Sequence, residues 1–161
     1  MIELGRVTDR KPPFRYSALT RVGFSDTDAQ GIVYYGRYLP YFDQARTEYH
    51  RHLGMIGKWV PGYELVMRAA ELEYHAPARF DDVLEVFVRI ARIGRTSVTY
   101  EHAAFRLPDD TLMVTAQQTL VLVDAEERRT HPLPDSFRDG IRAFEGASLD
   151  VSRRSAARRR K

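Results

Sequence analysis

Cysteine is absent from the 161 residues. That excludes disulfides, thiolate metal sites and thiol nucleophiles, and it makes the cytosol the default compartment. No run approaches the roughly 20 apolar residues a bilayer-spanning helix needs. Residues 1–15 hold no continuous apolar stretch of the secretory type. The chain therefore reads as cytoplasmic, without a membrane span. Also missing are a G-x-S-x-G elbow, a P-loop and a G-x-G-x-x-G turn, which sets aside serine-hydrolase and nucleotide-binding chemistry of those types. The histidines, at 50, 52, 75, 102 and 131, lack metal-ligand spacing. His50 and His52 stand two apart on a helix pattern and point different ways. No metal and no cofactor is expected.

What is present is an ordinary globular composition, 43% apolar and 29% charged, enough for one domain with one core. The net charge of +3 conceals an asymmetry, because Ser152–Lys161 carries five Arg and one Lys without an acid. The rest of the chain is net negative. A basic tail on a slightly acidic body is a solvated appendage rather than a nucleic-acid-binding face, so no specific nucleic acid is expected. Residues 1–15, without periodicity and with Pro12-Pro13, read as a flexible leader, 16–146 as the folded domain, and 147–161 as a basic tail expected to be disordered.

Tyr16–Phe24 reads as a first strand. Tyr38, Phe42, Ala45, Tyr49 and Leu53 recur at steps of four and three, which puts them on one face of a helix over 38–53. Pro40 is tolerated only in a first turn, so the helix starts near Gly36 or Arg37, and Gly54 suits its C-terminal cap. Tyr63–Tyr74, Val83–Ile93, Ser97–Leu107 and Leu112–Val123 are rich in apolar and β-branched residues. Turns at Ile93-Gly94-Arg95 and Pro108-Asp109-Asp110 make the last three an antiparallel meander. Pro134–Phe144 reads as a short helix. The helix stripe must be buried, and an antiparallel sheet offers one apolar face to receive it, so the fold class is α+β with a sheet wrapped around one long helix.

The segment FSDTDAQGIVYYGRYLPYFDQARTE (24–48) carries Asp26-Thr27-Asp28, then Gly31-Ile32-Val33-Tyr34, Tyr38 and Ala45-Arg46-Thr47-Glu48. Two further segments are Glu73-Tyr74-His75-Ala76-Pro77-Ala78-Arg79, leading into Asp81-Asp82-Val83-Leu84, and Gly94-Arg95-Thr96-Ser97. Together they resemble the hotdog-fold acyl-CoA thioesterases, in the branch of the Tol-Pal-associated enzymes and 4-hydroxybenzoyl-CoA thioesterase. The resemblance covers about Arg21 to Asp124. It implies a hotdog domain, a homodimer or homotetramer with active sites at subunit interfaces, and an acyl-CoA substrate. It also implies Asp28 as the catalytic carboxylate, with Gly31 and Tyr35 at the oxyanion and substrate site. Helix N-terminal amides are suited to a growing oxyanion, because they are unpaired donors at the positive end of the helix dipole. A CoA ester also brings phosphates, for which Arg95, Thr96 and Ser97 are the candidate contacts; Arg79 ranks behind them. The chain departs from the Tol-Pal-associated members at Tyr35, where they commonly carry His; the hydroxybenzoyl-CoA enzyme has an aromatic there. Tyr34, Tyr35 and Tyr38 together would suit an aryl or bulky acyl group.

Competing readings exist for each feature. Asp26-Thr27-Asp28 with Gly31 begins like a calcium loop, but Gln30 and Arg37 stand at its fifth and twelfth positions, and Arg37 replaces the bidentate acid. Seen alone, the two aspartates would simply cap a turn. Glu48 is the rival carboxylate, since another hotdog subclass places its acid on the helix; a pair with a neighbouring Arg is the favoured account of it. A non-catalytic module that binds acyl-CoA or a partner is the alternative to a hydrolase.

Overall fold

The computed structural model describes residues 2–56 and 62–151. Seven strands form one sheet: β1 (Gly5–Val7), β2 (Tyr16–Arg21), β3 (Tyr63–Tyr74), β4 (Val83–Ile93), β5 (Ser97–Leu107), β6 (Thr111–Asp124) and β7 (Asp150–Val151). Their spatial order is β1-β2-β4-β5-β6-β3, with β7 beside β4. All neighbours are antiparallel except β4 and β7. The helices are α1 (Tyr38–His52) and α2 (Asp135–Glu145).

The α1 stripe supplies Tyr38, Tyr41, Phe42, Ala45 and Tyr49 to a core shared with Leu84, Val86, Val88 and Ile90 of β4. Alternation along β4 turns Glu85 and Phe87 to the opposite face of the sheet. α1 ends where Gly54 takes φ 69°, a conformation that costs a residue with a Cβ more. α2 adds Phe137 and Ile141 to the core, and the Tyr49 hydroxyl of α1 donates to Glu145 at its end.

Three expectations need correction. The first strand stops at Arg21, because Phe24–Asp26 winds into a 3-10 turn. Residues 5–7 of the expected leader form β1 on β2. Behind them Arg6 and Arg10 reach Glu85, whose side chain is fully buried, at 3.3 and 2.8 Å, and Phe14 packs on Phe87. A buried carboxylate needs partners and a buried ring needs cover, so the leader is drawn over that face of β4. Finally, order runs past residue 146: Leu149 is buried and Asp150–Val151 pairs with Arg92 and Ile93. The arginine-rich stretch 152–161 lies outside the described residues.

Candidate active site

Asp28 sits on a loop tied at both ends. Thr27 bridges to Val33 and Ile32 to Arg79, so the loop is stitched to itself and to the segment preceding β4. The Asp28 N–H donates to the Ile32 carbonyl at 2.9 Å, and the Gly31 N–H to the Asp28 carbonyl at 3.0 Å. Gly31 closes this turn at φ 77° with nothing near the place of a Cβ. The Asp28 carboxylate does cap its turn, since Oδ1 accepts the Gln30 N–H at 2.8 Å. Its Oδ2 has no hydrogen-bond partner among the described residues. One oxygen holds the loop, and the other is available for chemistry.

Asp26 does a different task. Its carboxylate accepts from the Tyr41 hydroxyl at 2.7 Å and the Gly23 N–H at 2.9 Å, and it pairs with Arg37 at 3.0 Å. Burial works to raise its pKa, but these donors and the Arg37 charge outweigh it, and the carboxyl lies below its ordinary value. Its backbone carbonyl accepts the Tyr34 N–H at 2.9 Å. Asp26 therefore fastens the loop to the start of the helix.

Tyr35–Arg37 forms a 3-10 turn that runs directly into α1. At the head of such a turn the Tyr35 N–H has no acceptor within the turn itself. Asp28 and Tyr35 stand in the wall of one open cavity of ≈ 390 Å³. Gln30, Ile32, Val33 and Tyr38 continue that wall, and Tyr74, His75, Ala76 and Pro77 complete it from the end of β3. It is an acid beside a helix mouth in a largely aromatic and aliphatic cleft, the usual character of a small-ligand site.

Gly31 shapes the loop and is not part of the cavity wall. Arg95, Thr96 and Ser97 lie at the far end of β4, which spans roughly 30 Å at about 3.3 Å per residue. Their turn is docked on β6, on α2 and on the segment between them: the Arg95 carbonyl accepts from Leu133 and Arg138, and the Thr96 carbonyl from Leu122. Within the chain the two groups of expected site residues do not meet.

A sequence profile of the thioesterase-like superfamily matches residues 22–141, a span holding the loop, α1 and the strands that wrap it. The chain belongs to the thioesterase-like superfamily. An acyl-CoA thioester hydrolase of Escherichia coli O6:H1 is 34% identical over 119 residues, 73% of this chain and 88% of that protein. Among solved structures, a hypothetical protein from Aquifex aeolicus aligns at TM-score 0.70 and 29% identity, over 78% of this chain and 98% of its own. A 1,4-dihydroxy-2-naphthoyl-CoA thioesterase from Synechocystis aligns at TM-score 0.72 and 23% identity, over 78% of this chain and 93% of that one. That last likeness is one of fold, and the fold is the hotdog.

In this thioesterase-like frame Glu48 is engaged by its neighbours. It is buried, accepts the Leu4 N–H at 2.9 Å and pairs with Arg51 at 3.3 Å, and it is not in the cavity wall. Tyr74 and His75 stand in the wall although the matching segment that contains them points to no site role for either. The Ile32–Arg79 bridge brings their segment to the loop, a pairing that no local pattern announces. The one available signal was their place immediately before Ala76-Pro77-Ala78-Arg79. Among the described residues, no three His, Asp or Glu side chains are grouped to hold a metal, and no helix is long and apolar enough to cross a membrane.

Proposed function

We propose that this chain hydrolyses acyl-CoA thioesters to a carboxylic acid and CoA, with Asp28 as the catalytic carboxylate. The observation that carries the reading is Asp28 beside Tyr35 in one cavity, with Oδ2 unpartnered among the described residues. The thioester carbonyl rests against the Tyr35 N–H, which gains strength as the oxygen becomes an anion in the transition state. Asp28 Oδ2 then either adds to the carbonyl carbon, forming an anhydride that water opens, or takes a proton from the water that adds. In both routes CoA departs as the thiolate and is protonated by solvent. The E. coli relative, named as an acyl-CoA thioester hydrolase, supports the substrate class. The tyrosines of the wall suit an aryl or bulky acyl group.

The proposed working unit is a cytoplasmic homodimer or homotetramer. Among the described residues β3 has a strand neighbour on one side only, and an unpaired edge is a template for another strand. In such an assembly the Arg95–Ser97 turn of one subunit serves the CoA of the other, which accounts for its distance from Asp28 within a protomer.

The test is release of free CoA, followed by thiol trapping over a panel of acyl-CoAs. Asp28→Asn should keep the fold and lower turnover on the order of a hundredfold or more, the effect of losing a positioned acid–base group. Full activity in Asp28→Asn with loss in Glu48→Gln would move the chemistry to the helix. Tight acyl-CoA binding with no CoA released by the unaltered protein would make the chain a binding module.

A further inference from the structure

The peptide group joining Tyr35 to Gly36 is held from outside the helix. The Tyr74 hydroxyl, on the last residue of β3, donates to the Tyr35 carbonyl at 2.8 Å. The Tyr74 ring meets Tyr38 edge-on, with centroids 5.8 Å apart and planes at 66°. Tyr38 is fixed in turn, as its hydroxyl accepts the Ala78 N–H at 3.3 Å. A chain of two rings thus runs from the edge of the sheet to the mouth of α1.

That tie answers a local weakness. A Cβ at Gly36 would stand 3.0 Å from the exposed Tyr34 ring, which would have to give way by a few tenths of an ångström. Glycine restricts its neighbouring peptides least of all residues. At a helix start the N–H groups have no intrahelical acceptor to fix them. The peptide that carries the Gly36 N–H and adjoins the Tyr35 N–H is therefore the easiest one in the site to tilt. A hydrogen bond to its carbonyl fixes the plane and also polarises the amide, so its N–H becomes a stronger donor.

We propose that Tyr74 is a positioning residue for thioester hydrolysis, its hydroxyl setting the amide groups at the helix mouth against the substrate carbonyl. This rests on the hydrolase reading above. Tyr74 itself moves no proton and forms no bond to substrate. Burial, and next to it the neighbouring Tyr35, raise its phenol pKa above the ordinary value, so it stays a donor throughout the neutral range.

The experiment compares Tyr74→Phe with Asp28→Asn in the full chain, using the best-hydrolysed acyl-CoA of the panel. The expected result for Tyr74→Phe is a kcat lowered about tenfold, the scale of one hydrogen bond felt in the transition state, with KM and Tm unchanged. A non-hydrolysable acyl-CoA analogue with a ketone in place of the thioester gives a second readout. Its bound carbonyl stretch should lie at lower frequency in the unaltered protein than in Tyr74→Phe. Unchanged kcat and unchanged carbonyl frequency overturn the proposal, as does an effect confined to KM or to Tm. If Asp28→Asn is inactive and Tyr74→Phe is not impaired, only the role of Tyr74 falls. If Asp28→Asn keeps full turnover, the role of Asp28 falls and Tyr74 is still decided by its own kcat and carbonyl frequency; if the unaltered protein releases no CoA, the hydrolytic reading falls and this proposal with it.

Discussion

The Tyr41 hydroxyl of α1 donates to Asp26 Oδ2 at 2.7 Å, and through that bond the first aspartate of the D-x-D pair is tied to the helix. The division of labour within three residues is clear: Asp26 is saturated with donors, whereas Asp28 keeps an oxygen free.

Asp26→Ala should therefore lower both stability and kcat/KM. It strands the Tyr41 hydroxyl and the Gly23 N–H, at about 1–3 kcal/mol for a buried group left unpaired, and it lets the Asp28 loop drift from the helix mouth. Tyr41→Phe removes one of these bonds and should do less of both. Denaturant midpoints with steady-state kinetics check this; a variant with full activity and lowered stability would confine Asp26 to the fold. Because its folded pKa is lowered, its contribution is present above the unfolded carboxylate value. It is lost as pH falls through the folded one.

Two buried imidazoles make the fold sensitive to acid. Burial first, and the nearby Arg46 second, push His50 down to about 4 and His102 to about 3. Both are neutral in the native state and protonate readily once unfolded, so stability is present above pH 6.5 and declines as pH falls towards those values. The loss is on the order of 3 kcal/mol for His50 alone, from about 1.4 kcal/mol per pKa unit. His102→Leu should flatten the fall of Tm between pH 6.5 and 4. An unaltered acid limb in that variant would show that His102 does not report on folding.

Glu145 acts with the opposite sign. It is fully buried at the end of α2, accepts from Tyr49 at 3.0 Å through Oε1, and has no hydrogen-bond partner at Oε2 among the described residues. Burial dominates and raises its pKa to about 7, against the hydrogen bond from Tyr49. The protonated form is favoured on folding, so its contribution is complete below the unfolded value near 4.5 and is lost as pH rises through 7. Between pH 4.5 and 6.5 the two histidines outweigh it by one proton. Glu145→Gln should leave Tm nearly unchanged at pH 5 and raise it at pH 8; equal effects at both pH values would contradict a buried titrating acid.

The helix and the meander were legible because their signals are local. Tyr38, Phe42, Ala45 and Tyr49 declare one buried face, and Gly94 and Pro108 separate strands long enough to show their character. β1 and β7 were not legible, since three and two residues cannot display a period. Their causes lie far away in sequence, in Glu85 and in the end of β4. At the candidate site, the approach of Asp28 to Tyr35 in one cavity wall was legible in the motif. Tyr74 and His75 were not, because the bridge between Ile32 and Arg79 brings them in. The Arg95 turn had the right chemistry, but spacing along a chain says nothing of which end of a sheet a hairpin occupies.

Glu85 gives the front of the chain an importance its composition hides. Any truncation that removes Arg6 and Arg10 leaves an anion stranded inside the protein with Ser17 as its one remaining donor among the described residues. Such a shortened form would fail through a defect planted in the middle of the sheet, however far from the cut its symptoms surfaced.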